Sequence, residues 1–359
     1  MSLLFQPLAV RGVQMRNRLW VAPMCMYSSE EGMPNDWHHV HLAQFASGGA
    51  GLVMAEATAV TPEGRISPRD VGIWNDAQAD AWAPVVAAIR ARGAVAGVQL
   101  AHAGRKASTW WPFSGERGSV PEAQGGWRTL APSPIAYSGY ADPLPMDRAE
   151  IERTVTAFAD AARRAVGAGF QVLEIHAAHG YLLHEFLSPL SNTRDDEYGG
   201  TLGNRARLLL RVVGAVRDAV GDGVPVFVRF SGTDAAEGGW GIEDTATVAR
   251  WAADAGADLF DISSGGLVAH QRITAGPGYQ VPLAAHVRRE TGLPVSAVGV
   301  ITEGAQAEQI LADGDADAVF AAREWLRDPH FALRAAAELG EGLELWPSQY
   351  ERAARVRAS

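Results

Sequence analysis

The sequence predicts a single (β/α)8 barrel, and three observations lead there. Eight short apolar runs alternate along the chain with alanine-rich stretches of helical spacing. The runs are continuously apolar, as parallel strands buried on both faces are, and parallel neighbours require a crossover helix between them. Several runs end in glycine with polar residues just beyond, which suits a barrel whose C-terminal loops carry a site. A doubly wound sheet would favour a GxGxxG turn after an early strand, and the chain has none.

The strands follow in order. NRLWVAPM at 17–24 is the first, then GLVMAEATAV at 51–60 and AVAGVQLAHAG at 94–104. FQVLEIHAAHG at 170–180 and VPVFVRFSG at 224–232 come next. ADLFDISSGG at 257–266, LPVSAVGVIT at 293–302 and ADAVFAARE at 316–324 complete the ring. Amphipathic stretches such as NRARLLLRVVGAVRDAVG at 204–221 and EDTATVARWAADAG at 243–256 supply the crossovers. The Pro-, Gly- and Trp-rich segment at 109–139 is too long for an ordinary barrel loop. It is expected to be an ordered excursion over the barrel mouth within one domain, 1–359, rather than a second domain.

Composition narrows the function. The 359 residues are 47% hydrophobic and 20% charged, with a net charge of 31 − 41 = −10, which argues against a nucleic-acid groove or an anionic membrane as target. Cys25 is the only cysteine, so an intrachain disulfide, a thiolate zinc site and an iron–sulfur cluster are excluded. The start, MSLLFQPLAVRGVQMRNRL, lacks the layout of a secretory signal. No apolar stretch approaches the roughly 20 residues of a membrane span. A cytoplasmic protein is expected. Lys106 is the only lysine, so any Schiff-base chemistry would have to run through it.

The strand ends hold the candidate site. Cys25 and Tyr27 follow the first strand, Glu56 and Thr58 lie in the second, and Gln99, His102, Arg105 and Lys106 come from the third. His176, His179 and Tyr181 leave the fourth, Arg229 lies in the fifth, and Ser263 and Ser264 end the sixth. Gly299 and Arg323 end the seventh and eighth. Donors outnumber acids in this set, which favours an anionic or carbonyl-bearing ligand over a hard cation. His176 and His179 with His102 could make a three-histidine zinc site, or could be packed core histidines. The sharper reading is two imidazole N–H donors aimed at one carbonyl oxygen, the logic of an oxyanion hole. Gly299 and Arg323 stand where barrels commonly bind phosphate through backbone N–H groups and a helix N-terminus. A phosphate site on one side and a carbonyl cradle on the other describe a phosphorylated cofactor across the mouth, and FMN has that shape.

Several long motifs resemble the Old Yellow Enzyme family in the correct order. They are APMCMYSS at 22–29, EATAVTPEGRISPRDVGIW at 56–74 and VQLAHAGRKAS at 98–108. EIHAAHGYLLHEFLSPLSNTRDDEYGG at 174–200, FVRFS at 227–231, SSGG at 263–266 and AREWLRDP at 322–329 follow. PMCMYS and the QYER of the C-terminus are closest to the bacterial, thermophilic-like branch, and the resemblance runs from Phe5 to Arg352. It departs from the family in Ala322-Arg323 where many relatives have Gly-Arg, in a longer loop at 109–130, and in a tail running beyond QYER.

The resemblance implies an FMN-containing barrel that reduces activated alkenes with NADPH. Ala22, Pro23, Met24 and Cys25 would line the flavin, with the Cys25 thiol near its N5–O4 edge. Ala57 and Gln99 would contact the ring system, Arg229 would place charge near N1, and Gly299, Ala322 and Arg323 would hold the phosphate. His176 and His179 would bind the substrate carbonyl, Tyr181 would give the proton, and Tyr27 and Lys106 would line the substrate pocket. The tail, 340–359, would lie at a subunit interface of a homodimer or homotetramer, with Arg352 reaching the neighbour's site. Two rivals remain on the residues alone: a Schiff-base aldolase through Lys106, and a non-catalytic flavin-binding protein.

Overall fold

The computed structural model describes residues 2–341 and 343–353; the part of the expected interface tail beyond 353 lies outside them. Eight parallel strands close into a barrel in chain order. A hairpin precedes them: β1 (Leu8–Val10) and β2 (Val13–Met15), antiparallel, with Leu8 opposite Met15. The barrel strands are β3 (Leu19–Val21), β4 (Leu52–Ala59) and β5 (Val95–Ala101), then β8 (Val172–Ala177), β9 (Val226–Ser231), β10 (Leu259–Ser263), β11 (Val295–Ala297) and β12 (Ala318–Ala321). Between β5 and β8 lies a two-stranded parallel pair, β6 (Leu130–Ala131) with β7 (Leu144–Pro145). Every apolar run chosen from the sequence contains one barrel strand. Every residue of β4 and β5 is buried, the polar Glu56, Thr58 and Gln99 included.

The helices between strands are α1 (Asp36–Ser47), α2 (Asp76–Arg90), α3 (Arg148–Gly167), α4 (Leu182–Leu187) and α5 (Leu202–Val220). They continue with α6 (Ile242–Asp254), α7 (Val281–Thr291), α8 (Gly304–Ala312), α9 (Arg323–Arg327) and α10 (Phe331–Leu339). Their starts are encoded locally. Asn75 and Gln78 form a reciprocal capping box on α2, and Asp147 and Glu150 do so on α3. None of the described helices is long and apolar enough to cross a membrane.

The barrel interior is layered. At the N-terminal end of the strands, Trp20, Leu52, Met54, Val95, Val172, Phe227, Leu259 and Phe320 pack with Val10 and Met15 of the hairpin, which plugs that end. The hairpin escaped the sequence reading because three-residue strands show no periodicity. Its signal was the two-residue turn Arg11-Gly12 between short apolar runs, where Arg11 takes a positive φ of 48°. Residues 109–139 rest on the loops after β4 and β5. Trp127 Nε1 donates to the Glu63 carbonyl at 2.9 Å, the Arg65 guanidinium lies 4.8 Å from the Trp127 ring, and Arg105 Nη1 donates to the Ile135 carbonyl at 3.0 Å. The tail from Glu344 to Tyr350 runs beside Arg16, Ser47 and Arg92, where α1 and α2 end, on the side of the barrel remote from those loops.

Trp20 is the centre of the plug: it stacks on Phe227 at 6.0 Å and meets Phe320 edge-on at 5.3 Å. Trp20→Ala is expected to cost about 3–5 kcal/mol of unfolding free energy, the range for a fully buried Trp replaced by Ala. Chemical denaturation of the variant against the parent protein checks it; a loss under about 1 kcal/mol would mean the plug carries little stability.

Candidate active site

The site grows from a tight turn after β8. In that strand Val172, Glu174 and His176 point into the barrel, since side chains alternate and Val172 belongs to the interior layer. The strand ends at Ala177, and His179 takes a positive φ of 59°, a conformation costing on the order of 1–3 kcal/mol outside glycine. The turn is pinned from three sides. The His179 N–H donates to Ser231 Oγ at 2.9 Å, and Lys106 Nζ donates to the His179 carbonyl at 2.8 Å and the Gly266 carbonyl at 2.9 Å. Gly266 packs so close that a Cβ there would meet His179 Cα at 2.6 Å. This turn brings together the two imidazoles that a straight strand would separate. Their ring centroids are 5.2 Å apart and nearly perpendicular, and the Tyr181 ring meets His176 edge-on at 5.0 Å.

Protonation follows from the surroundings. Burial, then the charges of Arg229 and its neighbours, pushes both imidazoles well below the ordinary histidine range, so both are neutral. The Ala178 N–H donates to His176 Nδ1 at 3.3 Å, which assigns the ring proton to Nε2. That Nε2–H has no partner among the described residues. His179 differs from the expectation of two free donors: its Nε2 lies 2.7 Å from Ser263 Oγ, which itself donates to Gln280 Oε1 at 3.2 Å. Burial raises the Tyr181 phenol well above its usual value, so it keeps its proton.

Opposite, Cys25 and Tyr27 share an apolar patch with Tyr181 and Trp127, packed on Ala57, Ile66, Ala101, Ala103 and Ala107. A bulge in β4 between Ala55 and Ala57 re-aims Glu56, whose Oε2 accepts from the Met26 N–H at 3.0 Å and whose Oε1 lies 3.4 Å from His38 Nε2. The Cys25–Tyr27 turn is thereby fixed, with Tyr27 at φ 51°. The Tyr27 ring meets Phe113, from the 109–139 segment, at 6.5 Å. Burial, then Asp70 and Glu56, holds Cys25 as a neutral thiol.

Between the plug and the mouth runs a buried polar belt. Gln99 Nε2 donates to Glu174 Oε1 at 2.8 Å, Arg229 Nε pairs with Asp261 Oδ2 at 2.8 Å, and Ser296 Oγ donates to Asp261 Oδ1 at 3.2 Å. Asp261 is the partner of Arg229 among the described residues, and the remaining edge of the guanidinium is unused. At the far side, a cavity of about 270 Å³ is lined by Gly299, Val300, Ala322, Arg323 and Arg327, with Gln280 and Tyr279. Gly299 has a φ of 128°, and a Cβ there would press on Gln280 and Tyr279 at 3.0–3.1 Å. Ala322 offers no side-chain cap to α9, so the first N–H groups of that helix are open to an anion.

These residues fit FMN: open N–H groups and Arg323 for a phosphate, a guanidinium edge and the Gln99 amide for the polar rim of a flavin, and Cys25 and Ala57 for its apolar edge. Ala22, Pro23 and Met24 continue β3 toward the same place; the Ala22 N–H donates to the Ala321 carbonyl at 2.9 Å. Lys106 enters as a brace. Its ammonium serves two carbonyls and lies 5.1 Å from the Tyr181 ring and 4.8 Å from the Tyr137 ring, which does not favour an amine nucleophile. Among the described residues, no group of three or more His, Cys, Asp or Glu side chains is placed to hold a metal ion. Sequence reasoning missed Gln280, which ties Ser263, Ser264 and the Val298 carbonyl together across 16 to 18 residues. A glutamine ahead of a helix carries no signal of that role.

The family model described as the NADH:flavin oxidoreductase / NADH oxidase family matches residues 3–341. An NADPH dehydrogenase of Geobacillus thermodenitrificans is 47% identical over 354 residues, covering 98% of each chain. Among solved structures, morphinone reductase superposes with a TM-score of 0.78 at 27% identity, covering 95% of this chain and 90% of its own. An old yellow enzyme homologue from Zymomonas mobilis gives a TM-score of 0.77 at 27% identity, covering 98% of both.

A neutral thiol at Cys25 can tune a flavin beside it without attacking it. Cys25→Ala is expected to keep bound FMN and to shift its reduction potential, read by spectroelectrochemical titration. Loss of all flavin reduction by NADPH would instead assign the sulfur covalent chemistry.

Proposed function

Because the chain belongs to the NADH:flavin oxidoreductase / NADH oxidase family, the Old Yellow Enzyme family, and is an FMN-dependent NADPH dehydrogenase, we propose that its oxidising substrate is an activated alkene. The substrates are α,β-unsaturated aldehydes, ketones, maleimides and nitroalkenes, reduced at the C=C bond. FMN, when bound, supplies the two-electron relay between NADPH and the alkene. The rest is done by the chain. The observation that carries the reading is His176 Nε2–H, a neutral donor with no partner among the described residues, on a ring whose centroid lies 5.0 Å from that of a protonated Tyr181.

His176 holds the substrate's carbonyl or nitro oxygen and draws electron density onto it. His179 adds a second donor by exchanging Ser263 Oγ for that oxygen, so its net contribution is smaller. Tyr181 gives its proton to the α carbon. Arg229 stabilises the negative charge that reduction brings to the cofactor. Tyr27 and Phe113 narrow the entrance, and the apolar patch around Ala101 and Ala103 excludes water from the reacting carbons.

NADPH-driven reduction of 2-cyclohexenone tests the reaction, and titration with a phenol tests the cradle. His176→Ala is expected to weaken phenol binding by the value of a hydrogen bond to a charged group, about 1.5–3 kcal/mol or roughly 10- to 100-fold, and His179→Ala by less. Tyr181→Phe should slow alkene reduction while leaving flavin reduction by NADPH intact. NADPH oxidation without any alkene turnover, or unaltered phenol affinity in both histidine variants, would refute the reading.

The tail suggests an assembly. Residues 344–350 run along the end of the barrel remote from the mouth, and Arg352, two residues further on, is exposed. A homodimer or homotetramer in which Arg352 enters the partner's pocket makes use of it. Arg352→Ala should then raise KM for the alkene without lowering FMN content. A monomer by sedimentation with full activity would overturn this.

A further inference from the structure

Glu174 is a buried acid that alkene reduction does not employ. It points into the barrel from the middle of β8 and is wholly buried. One oxygen accepts from Gln99 Nε2 at 2.8 Å, while Oε2 is buried with no hydrogen-bond partner among the described residues. Four other strands, the two neighbours β5 and β9 among them, contribute polar groups around this place. Gln99 comes from β5, Arg229 from β9, Asp261 from β10 with Ser296 of β11 behind it, and His176 lies two residues along β8. Beneath them lies the apolar plug.

Charge balance decides the state of this acid. Arg229 is already matched by Asp261 at 2.8 Å. An ionised Glu174 would give the triad a net charge of −1 and leave half of a carboxylate unsolvated; a protonated one leaves the triad neutral. Burial and the charge of Asp261 raise Glu174 to about 8, against the opposing pull of Arg229 and Gln99. The group is therefore protonated at neutral pH and ionises as pH rises past that value.

We propose that Glu174 is a proton-holding residue beneath the cofactor: it stays protonated at neutral pH, and at alkaline pH it takes a proton from solvent whenever the adjoining FMN is reduced. This rests on the reading that FMN lies over Gln99 and Arg229. NADPH delivers two electrons and one proton together as a hydride equivalent, which balances the anionic two-electron form of the cofactor. The new negative charge beside Glu174 raises its affinity for a proton. Where Glu174 was ionised beforehand, its carboxylate gains one H⁺ from solvent, and no bond to the cofactor forms or breaks. Glu174 acts through Arg229 and Gln99 and is a positioning residue.

The pH dependence of the midpoint potential reads this directly. One proton per two electrons is a tenfold change in equilibrium constant per pH unit, about 30 mV; two protons make it hundredfold, about 59 mV. Holoenzyme titrated spectroelectrochemically from about pH 6 to pH 10 should show the shallow slope giving way to the steep one on the alkaline side. Glu174→Gln should keep the shallow slope throughout, and Glu174→Asp should restore a break. Redox-difference infrared spectra of the unaltered enzyme provide a second measurement that needs no variant to fold. At alkaline pH, reduction should bring up a protonated-carboxyl C=O band, absent at neutral pH. A single slope in the parent enzyme, a break that persists in Glu174→Gln, or no carboxyl band overturns the proposal. Cys25→Ala separates the two failures. If it leaves the potential unmoved, the placement of FMN has failed; if it moves the potential while Glu174→Gln behaves as the parent, Glu174 alone has.

Discussion

A single ammonium group ties three loops together at the barrel mouth. Lys106 follows β5, and its Nζ donates to the carbonyl of His179 after β8 and to that of Gly266 after β10. Two charge-assisted bonds at about 1.5–3 kcal/mol each are enough to offset the strained φ at His179, which costs about 1–3 kcal/mol. Without that strain the chain would leave β8 straight, and the rings of His176 and His179 would point to opposite faces. The same nitrogen lies against the Tyr181 ring, so the brace also sets the phenol that flanks His176. Burial lowers Lys106 to about 8, yet a neutral amine still has two hydrogens to donate, so the brace keeps its geometry after losing its charge.

The barrel was legible because its information is local. Buried parallel strands read as unbroken apolar runs, and Asn75, Asp147 and Thr201 mark helix starts through bonds to residues three positions on. The His176–His179 pair was legible for a related reason: the strand has to end between them for both to face one ligand. What stayed hidden depends on partners far apart in sequence. Ser263 occupies His179 Nε2 across 84 residues, and Lys106 reaches Gly266 across 160. Sequence alone left Lys106 open as a pocket residue or a Schiff-base amine; its two carbonyl partners explain why a lone lysine is half-buried here. The plug was hidden for the opposite reason, since three-residue strands are too short to carry a pattern.

The interior divides the work by depth. The apolar plug supplies stability at one end, and the belt above it holds charges that stability alone does not require. A buried ion pair such as Arg229–Asp261 is often no better than neutral for folding, because desolvation consumes the Coulombic gain. In the proposed placement of FMN its value would lie upward, where an oriented guanidinium would need no reorganisation to meet negative charge on the flavin. The belt also contributes to the neutrality of the histidines. Burial first, and then the charge of Arg229 with a smaller effect of Lys106, disfavours a positive charge on either ring, so both act as N–H dipoles rather than cations.

This neutrality constrains the order of events in the proposed reaction. A cationic imidazole could protonate the substrate oxygen outright, whereas a neutral one can only stabilise charge that forms there. Tyr181, held far above its ordinary pKa by burial, is too weak an acid to protonate an alkene carbon at rest. It can yield its proton only to a carbon that has become strongly basic. Charge must therefore reach the substrate before, or together with, the proton, and the site is arranged to receive it in that sequence. In that reaction His176 Nε2 would meet the oxygen on which negative charge first collects, and Tyr181, whose ring lies beside His176, would quench the α carbon afterwards. A cationic acid strong enough to reverse this order would have to keep its charge in the field of Arg229, which disfavours it.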